Sequence, residues 1–100
     1  MSKTTIYKQR LEGTDIQIKE FPKGFTPLTI NAQFNEPCIW YICDKEQTET
    51  VKKVIKIHGT GHPITDDILD YFDYLGTFQI GGGVLIFHSF ISKSDCEEVE

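Results

Sequence analysis

The sequence has no apolar run approaching the length that crosses a bilayer, which excludes a helical membrane span. Positive charge is scarce. Ten Lys and Arg stand against fifteen Asp and Glu, giving a formal net charge of −5, and Arg10 is the one arginine. Duplex nucleic acid is normally held by a basic face that releases counterions, so this composition argues against it as a partner. Three cysteines have neither the even count of a disulfide framework nor the paired spacing of a zinc site. Cys38 and Cys43 are an odd number of residues apart on one expected strand, so they should face opposite sides as reduced, buried thiols. Cys96 lies among carboxylates, a poor setting for a nucleophile. The N-terminus is polar with no apolar segment behind it, which reads as a chain without a secretory signal and hence cytoplasmic. No glycine loop is followed by a Lys-Ser or Lys-Thr pair, so no Walker motif is present.

What remains is one small domain of 100 residues, 39% hydrophobic and 12% aromatic. Without the stretch from Lys93 onward the count is nine Lys and Arg against eleven Asp and Glu, so the body, 1–92, is nearly neutral and 93–100 reads as a flexible acidic tail. Thr5–Leu11 and Asp15–Phe21 alternate, and the Glu12–Asp15 turn between them predicts a hairpin. In the next strand Leu28, Ile30, Ala32 and Phe34 share one face. Cys38–Cys43 is apolar on both faces and reads as the central strand, and Val51–Gly59 is a long one. Thr65 followed by Asp66 and Asp67 reads as a helix start, and Ile68, Leu69, Phe72 and Leu75 form the apolar stripe of a helix of about ten residues ending at Gly76. Thr77–Ile80 and Val84–Ile91 complete the pattern across Gly81-Gly82-Gly83. The expected fold is α+β and β-rich: a single small antiparallel sheet or barrel of about six or seven strands, with one helix before the last two. An exposed edge in so short a chain predicts either closure or a homo-oligomer.

The loop from Gly59 to Pro63 is the first candidate site. Gly59 and Gly61 free the backbone to present N–H groups to one anion, with Lys56, His58, Thr60 and His62 around it. Against this, Pro63 removes a donor and Asp66 and Asp67 already place negative charge at the helix start; Gly-Thr-Gly also suits a plain tight turn. Lys52, Lys53 and Lys56 are the only local concentration of positive charge, either a phosphate contact or the solvated side of a strand. Trp40 and Tyr41 should face opposite sides, one in the core and the other free to stack on a base. His58, His62 and His88 lack the spacing of a metal site, and His88 reads as a hydrogen-bonded core or pocket residue. The aspartates of the helix read as its solvated face, with no companion nucleophile. No catalytic residue, metal or cofactor is expected.

Gly59-Thr60-Gly61-His62-Pro63-Ile64, Gly76-Thr77-Phe78-Gln79 and Phe87-His88, with a Pro-x-Gly turn and a Trp-containing central strand, resemble a set of small proteins encoded by tailed phages and prophages. The likeness runs from Ile6 to about Phe90. It implies a phage origin and a location in the host cytoplasm, and it carries no activity or catalytic residue. By analogy with small phage proteins that block host defence, it implies a non-enzymatic counter-defence protein that sequesters a nucleotide-like signal. The alternatives are an inhibitor that binds a host defence protein through acidic mimicry, and a histidine-dependent hydrolase.

Overall fold

The computed structural model describes residues 2–96. Alternation of apolar and polar residues gives β1 (Thr4–Arg10), β2 (Ile16–Pro22), β3 (Thr26–Gln33), β4 (Glu36–Asp44), β5 (Thr50–Gly59), β6 (Phe72–Ile80) and β7 (Leu85–Ser92), with α1 (Ile68–Tyr71) between β5 and β6. They form two antiparallel sheets, β1-β4-β3 and β2-β5-β7-β6. The β-rich architecture with a helix before the last two strands is therefore as expected. The single sheet is not, and neither is a closed barrel.

The expected β1–β2 hairpin does not form. β1 pairs with β4, from Thr4 opposite Asp44 to Arg10 opposite Cys38, while β2 pairs with β5. The turn between them passes the chain from one sheet to the other, and Gln17 fixes it by bonding both the amide and the carbonyl of Glu12 at 2.9 Å. Each short strand thereby lies beside a longer one, with Phe21 of β2 in the shared core while Ile6, Ile16 and Ile18 stay exposed; a two-strand ribbon offers no such core.

The ten-residue helix is also overturned. α1 is a single turn whose N-cap, Asp67, makes no side-chain cap, and Thr65 lies outside it. Leu69 of the presumed apolar stripe is exposed, and from Phe72 the chain is a strand paired with β7. One isolated turn is marginal, whereas Phe72, Tyr74, Thr77 and Phe78 are residues that favour a pleated surface. Gly76 ends no helix. It sits in β6 at a register shift, opposite Ser89, where a Cβ would lie 3.0 Å from the Cγ2 of Ile30 on β3. That close approach is where the two sheets come together.

β3 corrects the alternation in a second way. A register shift between Pro27 and Thr29 leaves Leu28 exposed, and Phe34 leaves the strand altogether for a turn at φ 52°, followed by Asn35 at 65°.

Between the sheets Leu11, Phe21, Ile30, Ile39, Tyr41, Cys43, Ile55, Ile57, Phe78 and Ile91 form the core. Phe21 and Phe25 stack at 4.4 Å, and both meet Tyr41 edge-on at 5.3 and 5.8 Å. Burial pushes the Tyr41 hydroxyl above its ordinary range, and Cys43 and Tyr7 add to the shift. It likewise raises the Cys43 thiol, with Asp44 contributing. Cys38 is buried too, but on the other face of β4, beside a Lys8–Gln33 hydrogen bond and an Arg10–Glu36 ion pair at 3.0 Å. All three cysteines are free.

Lys19 and Lys53 are opposite one another on the inward face of β2 and β5. Each is largely buried and each meets a carboxylate, Lys19 that of Glu12 and Lys53 that of Asp95 at 3.0 Å. The Lys19 contact, by hydrogen bond and charge, holds the exposed Glu12 carboxyl below its usual range. Of the presumed tail, residues 93–96 return along β5: Lys53 Nζ donates to the Lys93 carbonyl at 3.0 Å and the Cys96 amide to the Lys52 carbonyl at 2.6 Å. Residues 97–100 lie outside the described residues.

Candidate functional site

On β5, Ile55 and Ile57 point into the core, so Lys56 and His58 face outward from the four-stranded sheet. The register places His58 directly opposite His88 on β7, and His88 opposite Thr77 on β6. β5 and β6 both run antiparallel to β7 and are therefore parallel to each other. Segment 60–71 must accordingly travel the length of the sheet, from Gly59 opposite Phe87 to Phe72 opposite Ser92.

This register assembles a hydrogen-bonded row. Thr60 Oγ1 lies 2.6 Å from His88 Nε2, Thr77 Oγ1 lies 2.9 Å from His88 Nδ1, and the Tyr74 hydroxyl bonds Thr77 Oγ1. A neutral imidazole donates from one nitrogen and accepts at the other, and either tautomer satisfies both bonds because threonine hydroxyls rotate. A protonated His88 donates to both. Aromatic rings flank the row: Phe90 meets His58 at 6.0 Å and Tyr74 at 5.5 Å, and Lys56 Nζ stands 4.7 Å from the centre of the Phe72 ring. His58 Nε2 is buried and has no hydrogen-bond partner in the protein.

The glycine loop beside the row is a tight turn. Gly59 accepts the His62 amide at 3.1 Å, Gly61 takes φ 85°, and the Thr60 amide donates to the Ile86 carbonyl at 3.4 Å. The His62 ring lies over Gly59, 3.0 Å from where a Cβ would stand, which is why glycine is needed there. Two loop amides are thus occupied by backbone carbonyls, and α1 is too short to offer a helix terminus to an anion. The loop's contribution is the Thr60 hydroxyl.

Residues 2–99 match the model of a domain of unknown function, DUF7352. The chain belongs to the DUF7352 family. No curated protein and no solved structure matches it.

In this DUF7352 member the aromatic pair expected at the loop is elsewhere. Tyr41 is in the core, and Trp40 lies on the outer face of the other sheet, between Lys8 and Thr29. The two outward faces are on opposite sides of the molecule, so neither ring reaches Lys56 or His58. Among the described residues no three His, Cys, Asp or Glu side chains are placed to hold a metal ion, and His58, His62 and His88 do not form such a group. His88, Thr77 and Tyr74 are the additions. Their proximity follows from the β6–β7 register and the shift beside Gly76, which strand periodicity alone does not specify.

Proposed function

We propose that this DUF7352 chain is a non-catalytic binding protein that captures a small anionic, nucleotide-like ligand on the outer face of its four-stranded sheet. The observation that carries this reading is the Thr60–His88–Thr77–Tyr74 row, an exposed line of groups able to donate hydrogen bonds and free of carboxylates. Lys56 supplies positive charge beside it, and Tyr74, 53% exposed, offers a ring for a base to stack on. Thr60 and His88 also have the spacing of a nucleophile and its base. Binding is favoured over hydrolysis because the group behind the imidazole is the neutral Thr77, which cannot stabilise an imidazolium as a carboxylate does. The adjoining Thr60 and His62 amides are also already occupied, so they are not free to hold an oxyanion. In the phage setting that the sequence resemblance implies, capture in the host cytoplasm would withdraw a signalling nucleotide from host defence.

Thermal unfolding with mononucleotides and cyclic dinucleotides as probes tests this. A ligand at about 100 times its Kd adds roughly 2.7 kcal/mol, a rise of about ten degrees for a chain of this size. The rise should vanish in His88→Ala and Tyr74→Ala while circular dichroism stays unchanged. No rise with any probe at millimolar concentration, together with a bare mass in native mass spectrometry of protein purified from infected cells, would refute the reading.

One observation favours a second reading, an inhibitor that docks on a host defence protein. Asp66, Asp67, Asp70 and Asp73 are exposed together with Leu69 and Tyr71, an acidic surface with apolar contacts on the return segment. The double variant Asp70→Lys, Asp73→Lys should then abolish capture of a host polypeptide that the unmodified chain retains.

A further inference from the structure

At one end of the molecule two turns stand side by side. Phe34 and Asn35 join β3 to β4, and residues 81–84 join β6 to β7. Asn35 Oδ1 accepts the Gly81 amide at 2.8 Å, which fixes one turn against the other. Phe34 is 91% exposed and Val84 82%, and Leu85 and Ile86 are exposed beside them.

The two turns themselves carry no charge in a chain with a net −5. Between Asp73 and Lys93 there is no Asp, Glu, Lys or Arg, and Thr26–Asn35 has none either. The adjoining Glu36 is paired with Arg10 at 3.0 Å. Next to the turns lies a groove of about 320 Å³ lined by Thr60, Val84, Leu85, Ile86 and Phe87. Since a cavity of about 150 Å³ holds benzene, the groove has room for a phenyl ring. Phe34 does not fill its own groove, as its exposure shows.

The geometry points to this end as a two-fold interface between two copies of the chain, each copy's Phe34 seated in the other's groove. A closed symmetric pair needs one patch that is complementary to itself, and a projecting ring beside an apolar groove is such a patch. The two turns bring no charge of their own into the contact, and the adjoining Glu36 is already paired with Arg10. An anionic bilayer is a poor alternative, since no Lys or Arg belongs to either turn. The aromatic residue also occupies a backbone position where asparagine or glycine would be more at ease, so local turn preference does not explain it.

Sedimentation velocity on the full chain, from micromolar to several hundred micromolar, tests the assignment. The unmodified chain should show a concentration-dependent dimer. Phe34→Asn should weaken it by about 30-fold or more, the effect of a central aromatic anchor, with a thermal midpoint no lower than before. Val84→Asn should weaken it as well, whereas Leu69→Ser, exposed elsewhere, should leave it intact. A monomer at every concentration overturns the proposal, whether or not the chain binds vesicles or another protein. So does a dimer that survives both Phe34→Asn and Val84→Asn.

Discussion

Ser89 is fully buried, and its hydroxyl has no hydrogen-bond partner. It stands on the core face of β7 between Ile57 and Gly76. A buried hydroxyl left unpaired costs about 1–3 kcal/mol in desolvation, so Ser89→Ala should be stabilising by about 1 kcal/mol, or a few degrees in Tm. Chemical and thermal unfolding check this, and a loss of stability would mean that the hydroxyl is bonded in solution. Tyr41 and Cys43 carry a pH consequence. Burial raises both pKa values in the folded state, so their stabilisation is complete below the ordinary thiol and phenol ranges and is lost as pH rises through them. Unfolding free energy should therefore fall on the alkaline side, and Tyr41→Phe should flatten that decline. The row around His88 belongs to the same scale. Its hydroxyls and imidazole are present in the sequence without any local mark, since partners on three different elements meet only once the register is set.

Strands were far more legible than the helix. Alternation or a two-faced apolar run marked all seven strands, β6 only over 77–80, because a residue's side of a pleat depends only on its immediate neighbours. Pairing was not legible: β1 and β2 look like a hairpin, yet each goes to a longer strand far along the chain. At 68–75 the spacing predicted a helix; one turn of it forms, Ile68–Tyr71, and from Phe72 the ladder with β7 makes the chain a strand. Gly76 shows how one position can be misread when only local pattern is available. As a helix terminus it would tolerate alanine poorly for reasons of φ alone, whereas in β6 alanine meets two obstacles, a φ of 153° and Ile30 across the sheets. Gly76→Ala should destabilise by about 1–3 kcal/mol. Combining it with Ile30→Ala, which removes the Cγ2 methyl that stands in the way, should give a loss smaller than the sum of the two single losses. Strict additivity in that cycle would place the strain elsewhere.

At the scale of the whole molecule, the chain passes between two open sheets whose edge strands are β1 and β3 in one and β2 and β6 in the other. No described helix is long and apolar enough to cross a membrane. Most strand pairs join segments distant in sequence, so folding should be slow for a chain of this size, in the millisecond-to-second range of β-rich domains, as stopped-flow refolding would report. The site proposed for ligand and the end proposed for self-association share Thr60 but otherwise lie on different strand segments, so they can be tested independently.

Lys19 has one more effect. It shares the inward face of β2 with the buried Phe21, on a strand whose other face shows Ile16 and Ile18 to solvent. A foreign strand that zipped onto this border would have to accommodate a cation in the dry layer, and inward charges of this kind keep soluble sheets from polymerising. With Lys19→Val, four of the six residues from Ile16 to Phe21 would be apolar, and no cation would remain on the inward face of this edge. Heated or shaken solutions of that variant should turn turbid and bind thioflavin, while the parent stays clear. The lysine would then act chiefly on shelf life, by keeping neighbouring molecules apart.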